Sequence, residues 1–266
     1  MSNRQIPVVL TLSGNDPTGG AGLQADIEAL ASHGCHAAPV VTAITVQNTG
    51  NVLDLAPLEA ALVVEQARAV LEDMPVQAVK IGLLGSAQIV EAVHTLLQDY
   101  PDLPVVLDPV LAAGGGTGLL DESAREALKA LLLPQVTVLT PNSREARALA
   151  PEADSLDACA MELLDTGCEF VLITGTHEPG PQVLNRLYGN HRLLETFHWE
   201  RLRGEYHGSG CTLAASIAGL LAQGLEPFTA IHEAQEYTWE ALRHGYRIGM
   251  GQLLPNRFFW VKTSSE

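Results

Sequence analysis

Short apolar runs alternate with longer amphipathic stretches along most of the chain, and this alternation constrains the possible folds more than any other feature. The predicted strands are continuously apolar, as in PVVLTL, VQAVKIG and FVLITG, which is typical of parallel strands with helices on both faces. Helical patterns such as AGLQADIEALASHG and AQIVEAVHTLLQDY separate them. The sequence therefore predicts a doubly wound α/β fold with a mainly parallel sheet.

Three further segments refine this prediction. Residues 57–74, PLEAALVVEQARAVLEDM, predict a helix with Pro57 in its first turn. VLNRLYGNHRLLETFHW contains two short runs around Gly189-Asn190 and predicts a β-hairpin, which two carboxyl-terminal helices follow. No linker, repeat or low-complexity segment interrupts the 266 residues, so we expect a single domain over residues 1–266.

The composition favours a soluble protein that acts on a small molecule. The chain has 15 basic and 31 acidic residues, a formal net charge of −16, and such a surface repels nucleic acid. Its apolar runs are too short to span a membrane, and the amino-terminal run leads into no signal-peptide cleavage site. The four cysteines form no CxxC pair, which argues against a zinc ribbon or a disulfide framework. We therefore expect a cytoplasmic protein without a nucleic-acid or membrane partner.

Polar and glycine-rich segments follow the predicted strands: SGNDPTGGAG, TVQNTG, KIGLLG, LDPV, TPNSRE and TGTH. Each alone fits an ordinary turn. Ligands of open parallel sheets bind beyond the carboxyl ends of the strands, however, so together the segments predict a binding site. The chain lacks the phosphate-loop signature GxxxxGK[ST], the dinucleotide signature GxGxxG and the nucleophile elbow GxSxG. A bound nucleotide would therefore need another phosphate-binding element.

The stretch HGSGC, residues 207–211, offers such an element where an apolar helix begins. Its glycines permit close approach of the backbone, and the first N–H groups of the helix can point at an anion. The same position is expected to lower the pKa of the Cys211 thiol and to favour its thiolate. The alternative is a small buried cysteine that only caps the helix.

Six segments carry a family resemblance: GNDPTGGAGLQADIEAL, TAITVQNT, KIGLL, LDPV, TPNSREA and HGSGCTLAASIA. In order and spacing they resemble the hydroxymethylpyrimidine/phosphomethylpyrimidine kinases, thiamine-biosynthetic members of the ribokinase-like superfamily. The resemblance covers nearly the whole chain, including the final GQLLPNRFFW, and its first and last segments are specific to this branch. It implies a ribokinase-like fold and a homodimer formed through the sheet edge or the region around the third strand.

The resemblance also implies an activity. Such an enzyme would use ATP and Mg²⁺ to phosphorylate 4-amino-5-hydroxymethyl-2-methylpyrimidine, and then to convert the monophosphate to the diphosphate. Gly208, Ser209 and Gly210 are implied to form an anion hole for the phosphoryl group. Cys211 is implied to lie beside the acceptor oxygen, as a base or as a hydrogen-bond partner.

The pyrimidine contacts follow from the same family motifs. Gln47 is the implied pyrimidine reader, because an amide can both donate and accept toward a ring nitrogen and its amino group; the alternative is a loop amide bonded to nearby backbone. Asp26 is assigned to the substrate hydroxyl, with a solvent-facing carboxylate as the alternative. The remaining implied contacts are Gly14, Gly20 and Ala21, where the ring approaches the backbone, and the apolar walls Val46 and Leu83.

The nucleotide contacts are implied in the same way. Asp108 and Glu145 match positions near the metal and the phosphates and are assigned to Mg²⁺. Asn142 belongs to the same set, although Asn142 and Glu145 are also spaced for a capping box at a helix start. His207 and Thr212 are implied to contact the nucleotide or its phosphates.

Two other functions remain open, and one departure from the family pattern is the main argument for the non-catalytic one. The family commonly has a lysine in a KGGH pattern where this chain has Thr174 in TGTH, so a nucleotide-contact position lacks its charge. A pyridoxine or pyridoxal kinase on the same scaffold is one alternative. A non-catalytic pyrimidine- or nucleotide-binding sensor is the other. Gln47 and HGSGC favour the pyrimidine kinase.

Overall fold

The computed structural model describes residues 6–113 and 116–261, and its strands form one sheet. The strands are β1 (Val8–Asn15), β2 (His36–Gln47), β3 (Val52–Pro57), β4 (Val76–Ile81), β5 (Val105–Leu107), β6 (Val138–Leu139), β7 (Phe170–Ile173), β8 (Gln182–Gly189) and β9 (Arg192–Glu200). Their order across the sheet is β3-β2-β1-β4-β5-β6-β7-β8-β9. β1, β2 and β4 to β7 are parallel, whereas β3, β8 and β9 pair antiparallel at the two edges. The predicted α/β fold with a mainly parallel sheet is confirmed.

Helices connect the parallel strands and follow the last hairpin. They are α1 (Gly22–Ser32), α2 (Ala60–Asp73), α3 (Ala87–Gln98), α4 (Glu122–Ala127), α5 (Ser143–Leu149), α6 (Leu156–Asp165), α7 (Ser209–Ala222) and α8 (Pro227–Arg243). Among the described residues, no helix is both long enough and apolar enough to cross a membrane.

Both faces of the sheet are buried, which explains why its strands are apolar throughout. Leu10 and Leu12 of β1 belong to a core with residues of α2, α3, α5 and α6, whereas Val9 belongs to a second core with α1, α7 and α8. Burying one such side chain contributes about 1.5–3 kcal/mol. Two apolar cores therefore hold the strands, one on each face of the sheet.

The prediction of a helix starting at Pro57 is wrong. Pro57 is the last residue of β3, and α2 begins at Ala60 after the N-cap residue Glu59. β3 pairs with β2 at the edge of the sheet, where a strand tolerates proline. Val52 is the one fully buried residue of β3, so the strand has almost no apolar alternation for a sequence pattern to reveal.

The hairpin predicted around Gly189-Asn190 is present as β8 and β9. Its turn residues, Asn190 and His191, have φ angles of 50° and 53°. A two-residue turn with both central φ angles positive matches the twist of the flanking strands, which is why short hairpins favour it.

Candidate active site

A cavity of about 600 Å³ opens beyond the carboxyl ends of the parallel strands. β1 lies between β2 and β4 in the sheet, so the chain leaves it in both directions, and such a point leaves a crevice at the strand ends. The predicted site residues that line the cavity are Gly14, Ala21, Gln47, Leu83, Asp108, Asn142, Glu145, Thr174, His207, Gly208, Ser209, Gly210 and Cys211. The fold therefore brings together residues from segments far apart in sequence.

Four predicted contacts, Gly20, Asp26, Val46 and Thr212, lie outside the cavity wall. Val46 precedes Gln47 on β2, and because successive strand residues point to opposite faces, its side chain turns away and is 56% exposed. Asp26 is fully buried beneath the site, so neither the expected substrate contact nor the solvent-facing alternative describes it. Gly20 and Thr212 are buried behind the glycine turn that begins α7.

The turn before α7 presents backbone N–H groups to the cavity. Gly208 is the N-cap with a φ of 84°, and it makes no side-chain cap. Within the described part of the chain, the N–H groups of Ser209, Gly210 and Cys211 have no backbone acceptor, whereas Thr212 N–H donates to Gly208 O at 3.0 Å. Unpaired N–H groups at the start of a 14-residue helix attract anions. This geometry supports the anion-hole prediction.

A buried arginine near the carboxyl end of the described chain holds this turn in place. Arg257 is 2% exposed, and its guanidinium donates to Gly20 O, to Thr212 Oγ1 at 2.9 Å and to Glu28 at 2.9 Å. Thr212 Oγ1 in turn donates to Gly208 O at 2.8 Å. Arg257 therefore links the first glycine-rich loop, α1 and α7. The sequence analysis missed it.

His207 joins the same two loops from the cavity side. Its Nε2 lies 2.7 Å from Asp16 Oδ2, and Asp16 also accepts hydrogen bonds from the backbone N–H groups of Thr18 and Ala21 at 2.8 Å. Although burial acts to raise it, the hydrogen bonds from His207 and Thr18 hold the pKa of Asp16 below its usual value. The pair orders the loop that contains Ala21 and lines the cavity.

Cys211 lines the cavity as a neutral thiol. Burial raises its pKa to about 12 despite the opposing charge of Lys80, and the carboxylates of Asp108 and Asp26 act in the same direction as burial. The expectation of a thiolate is therefore wrong, because burial disfavours the charged form of the thiol and the nearby carboxylates add to this effect. Of the two roles left open for Cys211, hydrogen-bond partner fits the structure better than base.

Beneath Cys211 lies a buried ion pair that the sequence analysis did not predict. Lys80 of β4 and Asp26 of α1 are both fully buried, and Lys80 Nζ lies 2.8 and 3.0 Å from the two carboxylate oxygens. Ser13 donates to Asp26 at 2.7 Å and accepts from Lys80 at 2.9 Å. Although burial acts to lower it, the charge of Asp26 holds the pKa of Lys80 above its usual value. A lysine inside the apolar run VQAVKIG was the available signal.

Asp108 and Glu145 form an acidic pair suited to a divalent cation. Burial raises the pKa of Asp108 to about 6, and burial together with the charge of Asp108 raises the pKa of Glu145 to about 8. A cation would relieve this repulsion. The described residues contain no cluster of three or more His, Cys, Asp or Glu that could hold a metal, and Mg²⁺ is usually bound by one or two carboxylates plus waters and substrate phosphates. The residues therefore fit Mg²⁺ shared with a nucleotide.

Asn142 and Glu145 also make the capping box that the spacing allowed. Asn142 Oδ1 accepts from the N–H groups of Arg144 and Glu145 at 2.9 and 3.0 Å, and Glu145 Oε2 accepts from Asn142 N–H at 2.9 Å. Thr174 is held against this helix start, because its N–H donates to Pro141 O and its carbonyl accepts from Ser143 N–H. Capping and cavity lining are thus compatible in the same residues.

Gln47 ends β2 with its side chain half-buried at the cavity wall. No hydrogen bond joins its amide to any residue in the described ranges, so the alternative of a loop amide bonded to backbone is not observed. Gly14 and Leu83 line the same cavity, and a Cβ at position 14 would lie 3.1 Å from the Leu83 side chain. An amide without a protein partner in a cavity that also has an apolar wall suits a flat heterocycle.

Comparisons with known proteins agree with this site. Residues 16–256 match the family described as phosphomethylpyrimidine kinase. A hydroxymethylpyrimidine/phosphomethylpyrimidine kinase of Synechococcus elongatus is 39% identical over 252 residues, covering 93% of this chain and 95% of that protein. A crystal structure of phosphomethylpyrimidine kinase from Clostridium difficile is 33% identical with a TM-score of 0.77, covering 90% of this chain and all of that one (100%). A structure of Staphylococcus aureus pyridoxal kinase with AMP-PCP and pyridoxal is 26% identical with a TM-score of 0.86, covering 95% and 94%.

A mainly parallel α/β fold with unpaired backbone N–H groups at a helix start and an acidic pair beside them is typical of phosphotransferases of small molecules. The family model and the similar proteins match most of the length of this chain, so the chain belongs to the phosphomethylpyrimidine kinase family.

Proposed function

We propose that this protein uses ATP to phosphorylate 4-amino-5-hydroxymethyl-2-methylpyrimidine and then its monophosphate, in thiamine biosynthesis. The observation that carries the proposal is that one cavity contains both the unbonded Gln47 amide and the N–H groups of the Ser209–Cys211 turn. The amide suits an aminopyrimidine, and the N–H groups suit a phosphoryl group. The names of similar proteins support the same substrate.

In the first reaction the hydroxymethyl oxygen attacks the γ-phosphorus of ATP, ADP leaves with the bridging oxygen, and the hydroxyl proton is released. In the second, a phosphate oxygen of the monophosphate attacks another ATP. The turn N–H groups hold the phosphoryl oxygens, which gain negative charge during transfer. The neutral Cys211 thiol forms a hydrogen bond with the acceptor oxygen and orients it.

Asp108 and Glu145 are the residues that would hold Mg²⁺. When bound there, the cation neutralises charge on the phosphate oxygens. The bound AMP-PCP in the similar pyridoxal kinase structure supports ATP as the donor. Asn142 and Thr174 complete this end of the cavity. Through Asp16, His207 holds the loop that contains Ala21.

A pyridoxal kinase activity is the second candidate, because the pyridoxal kinase structure superposes with the higher TM-score, 0.86 against 0.77. Both substrates are six-membered nitrogen heterocycles with a hydroxymethyl group. Sequence identity favours the pyrimidine, at 33–39% for the pyrimidine kinases against 26% for the pyridoxal kinase. Membership of a kinase family argues against the non-catalytic sensor.

Turnover assays with ATP and each heterocycle test the assignment. We expect the hydroxymethylpyrimidine to be phosphorylated with the higher kcat/KM, and Gln47→Ala to weaken its binding by about 1–3 kcal/mol while ATP affinity is unchanged. Calorimetry with the pyrimidine and with ATP separates the two effects. A higher kcat/KM for pyridoxal would transfer the assignment to that substrate, and turnover of neither would favour a sensor.

The finer architectural assignments belong to the same proposal. The sheet order and the cavity position support a doubly wound, ribokinase-like topology. A homodimer is supported by the exposure of Ile44, Val46 and Leu53 at the β2–β3 edge, at 43%, 56% and 68%. A Leu53→Glu variant would then sediment as a monomer. The four free cysteines are consistent with the cytoplasm.

A further inference from the structure

The described cavity wall contains few positive charges for a site that takes a triphosphate. Five carboxylates line it, those of Asp16, Asp108, Glu145, Glu200 and Glu205, against two arginines, Arg144 and Arg201. No lysine of the described chain lines the cavity; Lys80 lies beneath it, paired with Asp26. Binding a nucleotide with several negative charges in this wall requires a cation whose donors are free.

The donors of the Arg201 guanidinium are already occupied by backbone carbonyls of the protein. The guanidinium donates to the backbone carbonyls of Thr176 and Glu178 at 2.7 Å, of Gly180 at 2.8 Å and of Gln182 at 3.2 Å. These contacts shape the loop between β7 and β8 and occupy its donors. His207 is likewise bonded to Asp16.

The donors of the Arg144 guanidinium, by contrast, are not occupied by other described residues. Arg144 is exposed, it lines the cavity, and its backbone N–H donates to the Asn142 cap. Among residues 6–113 and 116–261, no hydrogen bond or ion pair engages its guanidinium. Arg147, one turn further along α5, differs because it pairs with Glu178 at 2.8 Å.

The backbone places Arg144 beside Thr174. Thr174 forms a parallel bridge with Asn142, and its carbonyl accepts from Ser143 N–H at 3.1 Å, so the start of α5 and the end of β7 are joined at this point. Burial lowers the pKa of His177, and the charges of Arg144 and Arg201 act in the same direction, which places Arg144 near the segment that continues from Thr174.

We propose that Arg144 binds phosphate oxygens of the donor nucleotide and supplies the positive charge that position 174 lacks. A guanidinium presents several donors in a fixed plane and pairs well with phosphate. Asp108 and Glu145 line the same cavity. A cation that they share with the nucleotide would neutralise phosphate charge in addition to Arg144. This inference rests on the proposed use of ATP.

Calorimetric titration with ATP and Mg²⁺ tests it without requiring turnover. Arg144→Ala is expected to weaken ATP binding about tenfold or more, since hydrogen bonds to charged groups are worth about 1.5–3 kcal/mol, while pyrimidine affinity is unchanged. Arg144→Lys should recover part of the affinity. Arg147→Ala is the matched control on the same helix and should leave both affinities unchanged, with the melting temperature of each variant recorded.

A second experiment uses the neighbouring position. In the Arg144→Ala background, Thr174→Lys should restore most of the ATP affinity and lower the KM for ATP, because the charge returns to the same region. ATP affinity of Arg144→Ala within twofold of the unchanged protein, in a folded variant, would overturn the inference. The proposed function fails by a different result, ATP binding that depends on Arg144 without phosphorylation of either heterocycle.

Discussion

A fully buried lysine in a central strand requires a partner for its charge, and Lys80 has one in Asp26. The pair lies below Cys211 and Asp108 and influences the pKa of both. Ser13 bonds to both members and also lines the cavity, so the pair is connected to the cavity wall. Asp26 is itself fully buried, so we expect it to influence the proposed site through Lys80 and Ser13.

Removing one member of this pair should destabilise the fold strongly. Lys80→Met leaves Asp26 buried and unpaired, and we expect the free energy of unfolding in urea to fall by about 3–5 kcal/mol. The double variant Lys80→Met/Asp26→Leu should recover most of the loss. Arg68→Ala, which breaks the exposed pair Arg68–Asp99, is the control and should cost less than about 1 kcal/mol. Equal losses for the two single variants would contradict this account of the pair.

Two predictions follow from the neutral state of the Cys211 thiol. With a pKa of about 12, the thiol should react slowly with iodoacetamide at pH 7–8, because the thiolate is the nucleophile. Because the thiol is proposed to orient the acceptor oxygen, Cys211→Ala should lower kcat by about 10²-fold. ATP affinity should change little, because the proposed anion hole is formed by backbone N–H groups. Cys211→Ser should keep part of the rate through its hydroxyl. Alkylation as fast as that of a low-pKa thiol, or an alanine variant with normal kcat, would refute the assigned role.

At the scale of the element, the start of α7 depends on contacts that reach it from two other segments. Gly208 adopts a left-handed φ of 84°, and a Cβ there would collide with Gly20 O. Arg257 bonds to the same carbonyl and to Thr212 in the first turn of the helix. The orientation of the N–H groups proposed to bind the phosphoryl group is therefore set by packing between α7, the first glycine-rich loop and the PNRFFW segment.

Alanine variants at two glycines with similar φ angles distinguish the effect of backbone strain from the effect of this packing. Gly208→Ala is expected to abolish most turnover and to lower the melting temperature, because the Gly20 and Gly208 segments must move apart. Gly224→Ala, at a φ of 86° with no atom within 4 Å of the added Cβ, should cost about 1–2 kcal/mol of stability and leave kcat unchanged. Activity and thermal denaturation of both variants provide the measurement. Similar kinetic effects at the two positions would show that strain, not the Gly20 contact, dominates.

At the scale of the molecule, α1 and α8 contribute to the same core on one face of the sheet, and the half-buried His33 at the end of α1 contacts α8. The His33 ring packs on Tyr237 at 4.5 Å between centroids, and its buried Nε2 has no partner within the described ranges. Burial lowers the pKa of His33 to about 4. Protonation of this residue is therefore opposed in the folded state and free in the unfolded state.

Stability should consequently fall in mildly acidic solution. Between pH 6.5 and pH 4 the unfolded chain binds the His33 proton and the folded chain does not, so the free energy of unfolding decreases as the pH is lowered through this range. We expect His33 to account for about 1–2 kcal/mol of that decrease. Urea unfolding of His33→Gln across this range should show a shallower dependence of the free energy of unfolding on pH. An unchanged slope in His33→Gln would rule His33 out as the source.

Local patterns determined the arrangement of elements and the identity of most cavity residues. Continuously apolar strands require cover on both faces, and turn-forming residues at their carboxyl ends must then meet at one edge, which placed Gln47, Asp108 and the 207–211 turn together. The motifs of the first loop and of HGSGC indicated the family to which the chain belongs. These inferences succeed because each depends on residues close in sequence or on a rule of topology.

Tertiary structure alone decided the electrostatics of the site. The protonation state of Cys211 depends first on its burial and then on Lys80, Asp108 and Asp26, which come from three distant segments, so a rule about helix starts gave the wrong direction. The partners of Arg257, the burial of Asp26 and the freedom of Arg144 likewise depend on contacts across large sequence separations. Charges act through space according to distance and burial, and both quantities are set only when the chain has folded.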